Sequence, residues 1–258
     1  MPGSQIPGPI DNARQYVQVQ DGTSALIAMP GAGTVGTSTH NGLPPAARPQ
    51  AAVAQLQALS IDAQGHLADA RVVRAIAPTI ERGPMAAVRG IVVHQTGGAT
   101  AQSSLSSYKA KGANGAHFLI DKDGTVYQTA SLTQRTWHVG KLRARCLAEQ
   151  TCTPVELKAY ARFDPTGMHK SESAKAPPAR YPSNEDSIGI ELVGQALPPA
   201  GGGAGEAVYE DVTDQQNSAL KWLVADLTKL LGVPMTEIFR HPQVSRKNAS
   251  EARSAKWQ

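Results

Sequence analysis

Residues 88–94 read VRGIVVH, a nearly unbroken β-branched run that ends on a histidine and passes into the small residues QTGGAT. A strand apolar on both faces has to be covered on both faces, which puts it in the middle of a sheet with other layers packed against it. A rigid strand end also fixes an imidazole in space, while the glycines after it let the chain turn away and leave room for a ligand. A single histidine at such a place is commonly structural, so its meaning depends on what the rest of the chain brings to it.

The segments that follow predict the other parts of an α/β fold. ATAQSSLSSYKAK, from residue 99, reads as a helix. AHFLIDKDGTVYQT, from residue 116, reads as a hairpin whose DKDG turn puts Gly124 where positive φ is needed. SIGIELVG at 187–194 is a second buried strand, followed by the turn-rich PPAGGGAGE. In VTDQQNSALKWLVADLTKLLGVP, Thr213 and Gln216 make a capping box, apolar residues recur at 220, 223, 224, 227, 230 and 231, and Gly232 and Pro234 stop the helix. The order strand, helix, hairpin, strand, helix predicts a mixed central β-sheet flanked by helices.

Residues 1–85 are rich in Gly, Pro, Ala, Ser and Thr and read as a loosely structured N-terminal extension. Within it, VAQLQAL at 53–59 suits a short helix and HLADARVVRAI at 66–76 a helix or a strand, elements through which the extension can dock on the domain at 86–258. Residues 141–184 carry little periodic signal and read as an insertion.

Composition excludes two classes of partner. The formal net charge is +4, but no Lys/Arg cluster is interleaved with aromatic residues, and the chain has only three Phe and three Trp, so nucleic-acid binding is not expected. No uncharged apolar run approaches the ~20 residues that span a bilayer, so neither is membrane insertion. The opening MPGSQIPGPIDNARQ lacks the basic-then-apolar pattern of a Sec signal, which predicts a chain made in the cytoplasm and, if exported, exported by another route. The only two cysteines, Cys146 and Cys152, lie six residues apart. That spacing fits a local disulfide in an oxidising compartment or a chance reduced pair, with no second Cys/His pair beside them to complete a metal site.

The segments VVHQTGG, AHFLIDKDGTVYQ, TWHVG, SIGIELVG and FRHPQVSRKNASEA occur in an order, and on elements, that resemble the zinc-dependent N-acetylmuramoyl-L-alanine amidases. This is the amidase-2 family shared by phage T7 lysozyme, AmpD-type amidases and peptidoglycan recognition proteins. The resemblance covers residues 88 to about 257. It implies a Zn²⁺ site in which His94 and His241 are two ligands. The family places a Cys or Asp two residues after a basic residue; here the basic residue is Lys247 and the position after next is Ala249, which cannot bind metal. Glu251, ten residues beyond His241, is the expected substitute, with Asn248 or a second water as fallback.

The resemblance also implies Glu191 as general base, in the AmpD manner. The T7-type members carry a tyrosine where this chain has Ala116. A glutamate inside IGIELV is costly to bury unless paired or raised in pKa, which marks Glu191 on physical grounds too. Lys247 and His138 are expected to stabilise the tetrahedral oxyanion. Trp137, Asn114 and His117 are candidate substrate contacts, His117 with a structural role as the competing reading. His40, His66 and His169 are read as solvated. The implied activity is hydrolysis of the amide between N-acetylmuramic acid and L-alanine of the stem peptide. The expected partners are peptidoglycan or muropeptides, a secretion-system component and a cognate immunity protein.

Those expectations describe an antibacterial effector acting in the periplasm or cell wall of a target bacterium. A phage endolysin, a cytosolic muropeptide-recycling amidase, a non-catalytic peptidoglycan binder and a zinc hydrolase of another amide are the alternatives.

Overall fold

The computed structural model describes residues 59–198 and 206–258. The helix expected at 53–59 and most of the turn-rich segment after residue 197 lie outside them. In chain order the first half carries β1 (Val72–Arg74), β2 (Glu81–Pro84), β3 (Gly90–Gly97), α1 (Ala101–Ser107), β4 (Phe118–Ile120), β5 (Val126–Gln128) and β6 (Gln134–Thr136). The second half carries α2 (Arg145–Glu149), α3 (Pro154–Tyr160), α4 (Pro165–Ser173), β7 (Ser187–Leu197), β8 (Val208–Tyr209), α5 (Asp214–Leu231), β9 (Ile238–Arg240) and α6 (His241–Val244).

The main sheet has the order β1-β5-β4-β7-β3-β9, with β8 paired to the far end of β7. β3 runs parallel to β7 and β9, β4 parallel to β7, and β5 antiparallel to β4, so the sheet is mixed as predicted. β2 and β6 form a separate two-stranded ribbon.

Strand periodicity sorts the side chains onto two faces. Ile91, Val93, Phe118, Ile120, Ile188, Ile190 and Leu192 share one buried cluster with Leu220, Leu223, Val224 and Leu227 of α5. Each such side chain contributes ~1.5–3 kcal/mol on burial. The helix is capped by Thr213 and Gln216 and stopped by Gly232 at φ 67°. On the other face, Leu119 and Val193 pack with Ala101 of α1. Glu191 belongs to this second face and is the register partner of His94. Both therefore point away from α5.

Two boundaries differ from the sequence reading. β3 continues past His94 to Gly97, so the histidine sits inside the strand, three residues before its end. Residues 59–85 carry β1 and β2 and place Leu59, Leu67 and Met85 in the main core, so the packed body begins nearer 59 than 86. The β-branched Val72 and Val73 resolve the segment 66–76 as a strand that adds to the sheet beside β5. The insertion, for its part, is helical. Thr153 and Glu156 form a capping box on α3, and Asp164 caps α4.

The insertion is held to the body by polar contacts. Arg145 of α2 makes a bidentate pair with Glu237 at 2.8 and 3.0 Å, just before β9. Buried Glu172 of α4 accepts from Tyr160 at 2.7 Å and Lys175 at 2.6 Å. His169, read as solvated, accepts the Leu142 N–H at 3.1 Å and so takes part as well. Cys146 and Cys152 are joined by a disulfide. Closing so short a loop restricts the unfolded chain modestly, so Cys146→Ser is expected to cost ~1–3 kcal/mol. Urea unfolding under non-reducing conditions checks this. An unchanged midpoint would leave the crosslink without a stabilising role.

Candidate metal centre and cleft

The parallel pairing of Val93 with Arg240 brings the next residues, His94 and His241, side by side. Their ring centroids are 4.2 Å apart. Glu251 enters from the C-terminal turn, its Oε1 2.9 Å from His241 Nδ1 and 3.6 Å from His94 Nδ1. All three side chains are buried, and one donor atom from each lies within 4.8 Å of the others. Ala249 is exposed and lines a neighbouring cavity that Glu251 also borders.

The local electrostatics suit a cation. Burial and then the neighbouring His241 hold His94 down to about 4, keeping its imidazole neutral. Burial works to raise the Glu251 carboxyl, but hydrogen bonds from His241 and His94 overcome it and hold it at about 2, as a carboxylate. Neutral imidazole and ionised carboxylate are the forms that bind metal. His241 Nε2 is buried with no hydrogen-bond partner among the described residues, so protein groups alone leave this cluster's polarity unmet. Two imidazoles and one carboxylate are a donor set that catalytic zinc takes, with a fourth position open. The residues fit.

Glu191 lies beside this cluster in the same cleft, which has a volume of about 420 Å³. Its Oε2 is buried and unpartnered among the described residues, and burial followed by the charge of Glu251 pushes the carboxyl up to about 8, against the pull of Lys247. Gly189, two residues earlier on the same face, leaves the space that His138 fills; a Cβ there would stand 2.8 Å from the ring.

His138 supports His94. Its Nδ1 lies 3.0 Å from His94 Nε2, and its own Nε2 is 3.3 Å from the Ser187 carbonyl. Both nitrogens are therefore engaged, which makes the ring a brace for His94 in place of the expected free donor to an oxyanion. Asn184 accepts the N–H groups of His138 and Val139 at 2.9 and 2.7 Å and pins the WHVG backbone.

Of the expected substrate contacts, Asn114 and Trp137 line the cleft and His117 does not. His117 is fully buried: its Nδ1 accepts the Gly189 N–H at 3.0 Å and its Nε2 donates to the Gln134 carbonyl at 2.8 Å. It is structural, because the strand register hands both ring nitrogens to backbone groups. Trp137 is 52% exposed, with the Arg82 guanidinium 4.7 Å from its ring centroid. Arg82 is itself fixed by the Thr79 and Ala113 carbonyls. One face of the indole is thus braced and the other left open to the cleft. Trp137→Ala is expected to raise KM on sacculi ~3–10-fold with kcat little changed, the pattern of lost uniform binding. Equal KM values for variant and parent would make Trp137 a bystander.

Tyr108 and Tyr209 also line the cleft, and neither stands out in the sequence as a site residue. Tyr209 comes from β8, and nothing in the local pattern announces that this two-residue strand folds back onto β7.

Residues 84–255 match the model of the amidase-2 family, described as N-acetylmuramoyl-L-alanine amidase. Among solved structures, a selenomethionine AmpD derivative is 19% identical over 77% of this chain and 95% of its own, with a TM-score of 0.46. The endolysin amidase LysCS from Clostridium intestinale URNW is 16% identical over 71% and 87%, with a TM-score of 0.36. No curated protein matches the chain in sequence. The family match takes in His94, Asn114, Trp137, His138, Glu191, His241, Lys247 and Glu251 together and spans well over half of the chain, which belongs to the N-acetylmuramoyl-L-alanine amidase family of peptidoglycan hydrolases.

Proposed function

We propose that the cleft binds one zinc ion through His94, His241 and Glu251 and hydrolyses the amide between N-acetylmuramic acid and L-alanine of the stem peptide. The observation that carries this reading is the trio of donors within 4.8 Å of one another beside a carboxyl held in reserve at Glu191. Zinc with three protein ligands supplies a Lewis acid that polarises a carbonyl and makes a water acidic. With its Nδ1, the nitrogen nearer Glu251, given to the metal, His94 would carry its proton on Nε2 and donate to His138 Nδ1, and the His138 Nε2–H would donate to the Ser187 carbonyl. That relay fixes the tautomer of His94.

In its ionised form Glu191 takes a proton from the attacking water and returns it to the leaving amine of L-alanine. The new C–O bond forms first, giving the tetrahedral oxyanion; the C–N bond then breaks as the carbonyl re-forms and the amine takes its proton, leaving the lactyl carboxylate and a free stem peptide. The Lys247 ammonium, exposed at the cleft, offers positive charge to the tetrahedral oxyanion.

The setting we propose is an antibacterial effector delivered by a secretion system, acting on peptidoglycan in the periplasm or cell wall of a target bacterium and restrained in its producer by an immunity protein. The Cys146–Cys152 disulfide supports an oxidising place of action. A phage endolysin or a recycling amidase shares the chemistry and differs in where it works. Two measurements test the proposal: zinc content of the purified chain, and stem peptides released from sacculi before and after chelation. One zinc per chain with activity lost on chelation and restored by zinc is expected. Undiminished release by zinc-free protein would overturn it. Growth arrest on directing the chain to the periplasm, and not on cytoplasmic expression, separates an effector from a recycling enzyme.

A further inference from the structure

We infer that Gln95 and Arg240, the chain neighbours of the two histidines, are positioning residues that place the Glu251 carboxylate in the metal site. The inference rests on the zinc reading above and adds how the third ligand is held.

Gln95 borders the same cleft as His94, at the point where the pairing of β3 with β7 shifts register. Its side chain crosses to two other segments: Nε2 donates to the Glu210 carbonyl at 2.7 Å, and Oε1 accepts the Ala252 N–H at 3.1 Å. Arg240 takes the other backbone group of the same residue. Its Nε donates to the Ala252 carbonyl at 2.9 Å and its Nη2 to the Ala255 carbonyl at 2.7 Å, while the guanidinium lies 4.8 Å from the centroid of the Trp257 ring. The residues flanking the two histidines are thus bonded to the turn that carries the third ligand.

The turn needs such holding. Ala252 has φ 53°, a left-handed conformation that costs a residue with a Cβ ~1 kcal/mol or more. That reversal sends Ala252 into the core, fully buried, and Glu251 back toward the histidines. It also explains how a glutamate serves where the family pattern offers only Ala249. Gly194 belongs to the same device, because a Cβ there would stand 1.9 Å from Gln95 Nε2.

The test is zinc affinity, measured by competition with a chromophoric chelator, together with the visible spectrum of the cobalt-substituted protein. Gln95→Met keeps length and removes both hydrogen bonds; it is expected to weaken zinc binding ~10–100-fold and to alter the cobalt spectrum, as loss of an outer support does. Gln95→Glu keeps an acceptor for the Ala252 N–H and is expected to restore affinity. Wild-type affinity in Gln95→Met overturns the inference. Should that variant not fold, a folded Gln95→Glu that has lost zinc overturns it instead, and one that keeps zinc together with a weakened Arg240→Met supports it. Failure of the parent chain itself to bind zinc is a different result, and overturns the metal reading beneath it.

Discussion

His94→Ala is expected to fold, to retain no zinc after dialysis and to release stem peptides from sacculi at least ~10³-fold more slowly than the parent, since the Lewis acid leaves with the ligand that held it. The imidazole comes from the middle of the strand paired to both β7 and β9, which fixes its place in the cluster. With three protein donors in the cluster among the described residues, removing one leaves two, fewer than a catalytic zinc site keeps. The same loss reads out in stability. A ligand that binds only the folded chain stabilises it by RT ln(1 + [L]/Kd), about 4 kcal/mol at a thousandfold excess over Kd. Added zinc should therefore raise the Tm of the parent and leave that of His94→Ala unmoved. Glu251→Ala should behave likewise. Stoichiometric, tightly bound zinc in Glu251→Ala would remove that residue from the site and put Asn248 or water in its place.

Why the site could be read so far from sequence is visible in its parts. His94 and Glu191 sit in strands whose apolar neighbours announce burial, and a polar residue inside such a run stands out against it. Parallel pairing then makes them register partners, a relation the sequence does not state but the two strands' similar composition allows. Glu251 was reachable by counting from His241, but the positive φ at Ala252 that aims it was not. Alanine carries no local signal for that conformation; the Ala252 N–H donates to Gln95, far away in the chain, and its carbonyl accepts from Arg240.

The insertion is legible as an insertion, but its helices are not. Thr153-Pro154-Val155-Glu156 and Asp164-Pro165 are ordinary helix starts, yet α3 buries none of its residues, so the periodicity that betrays α5 is missing there. His117 and His138 show the opposite difficulty. Both lie in motif segments, and only the packing of Gly189 against them decides that one ring is wholly internal while the other reaches the edge of the cleft.

Glu191→Gln keeps the shape of the side chain and removes its basicity, so zinc content should be unchanged while turnover falls by ~10² or more, the usual worth of a general base. The metal-free protein gives a second, independent reading of the same carboxyl. Burial, then the charge of Glu251, raise its folded pKa to about 8 from an ordinary 4.5, so between those values the folded chain holds a proton that the unfolded chain has released. Stability must then fall as pH rises through this window, because the folded state binds more protons there. The contribution is fully present below the unfolded value and gone above about 8. Glutamine does not titrate. In the presence of chelator, Glu191→Gln and the parent should therefore respond nearly alike to urea at the acid end of the window, and the variant should become the more stable by roughly a few kcal/mol at its alkaline end. Parallel unfolding midpoints across the whole range would mean that Glu191 ionises freely in the folded chain. Near-normal turnover in the variant would pass the role of base to another group, and Tyr209, already in the cleft, would be the next residue to substitute.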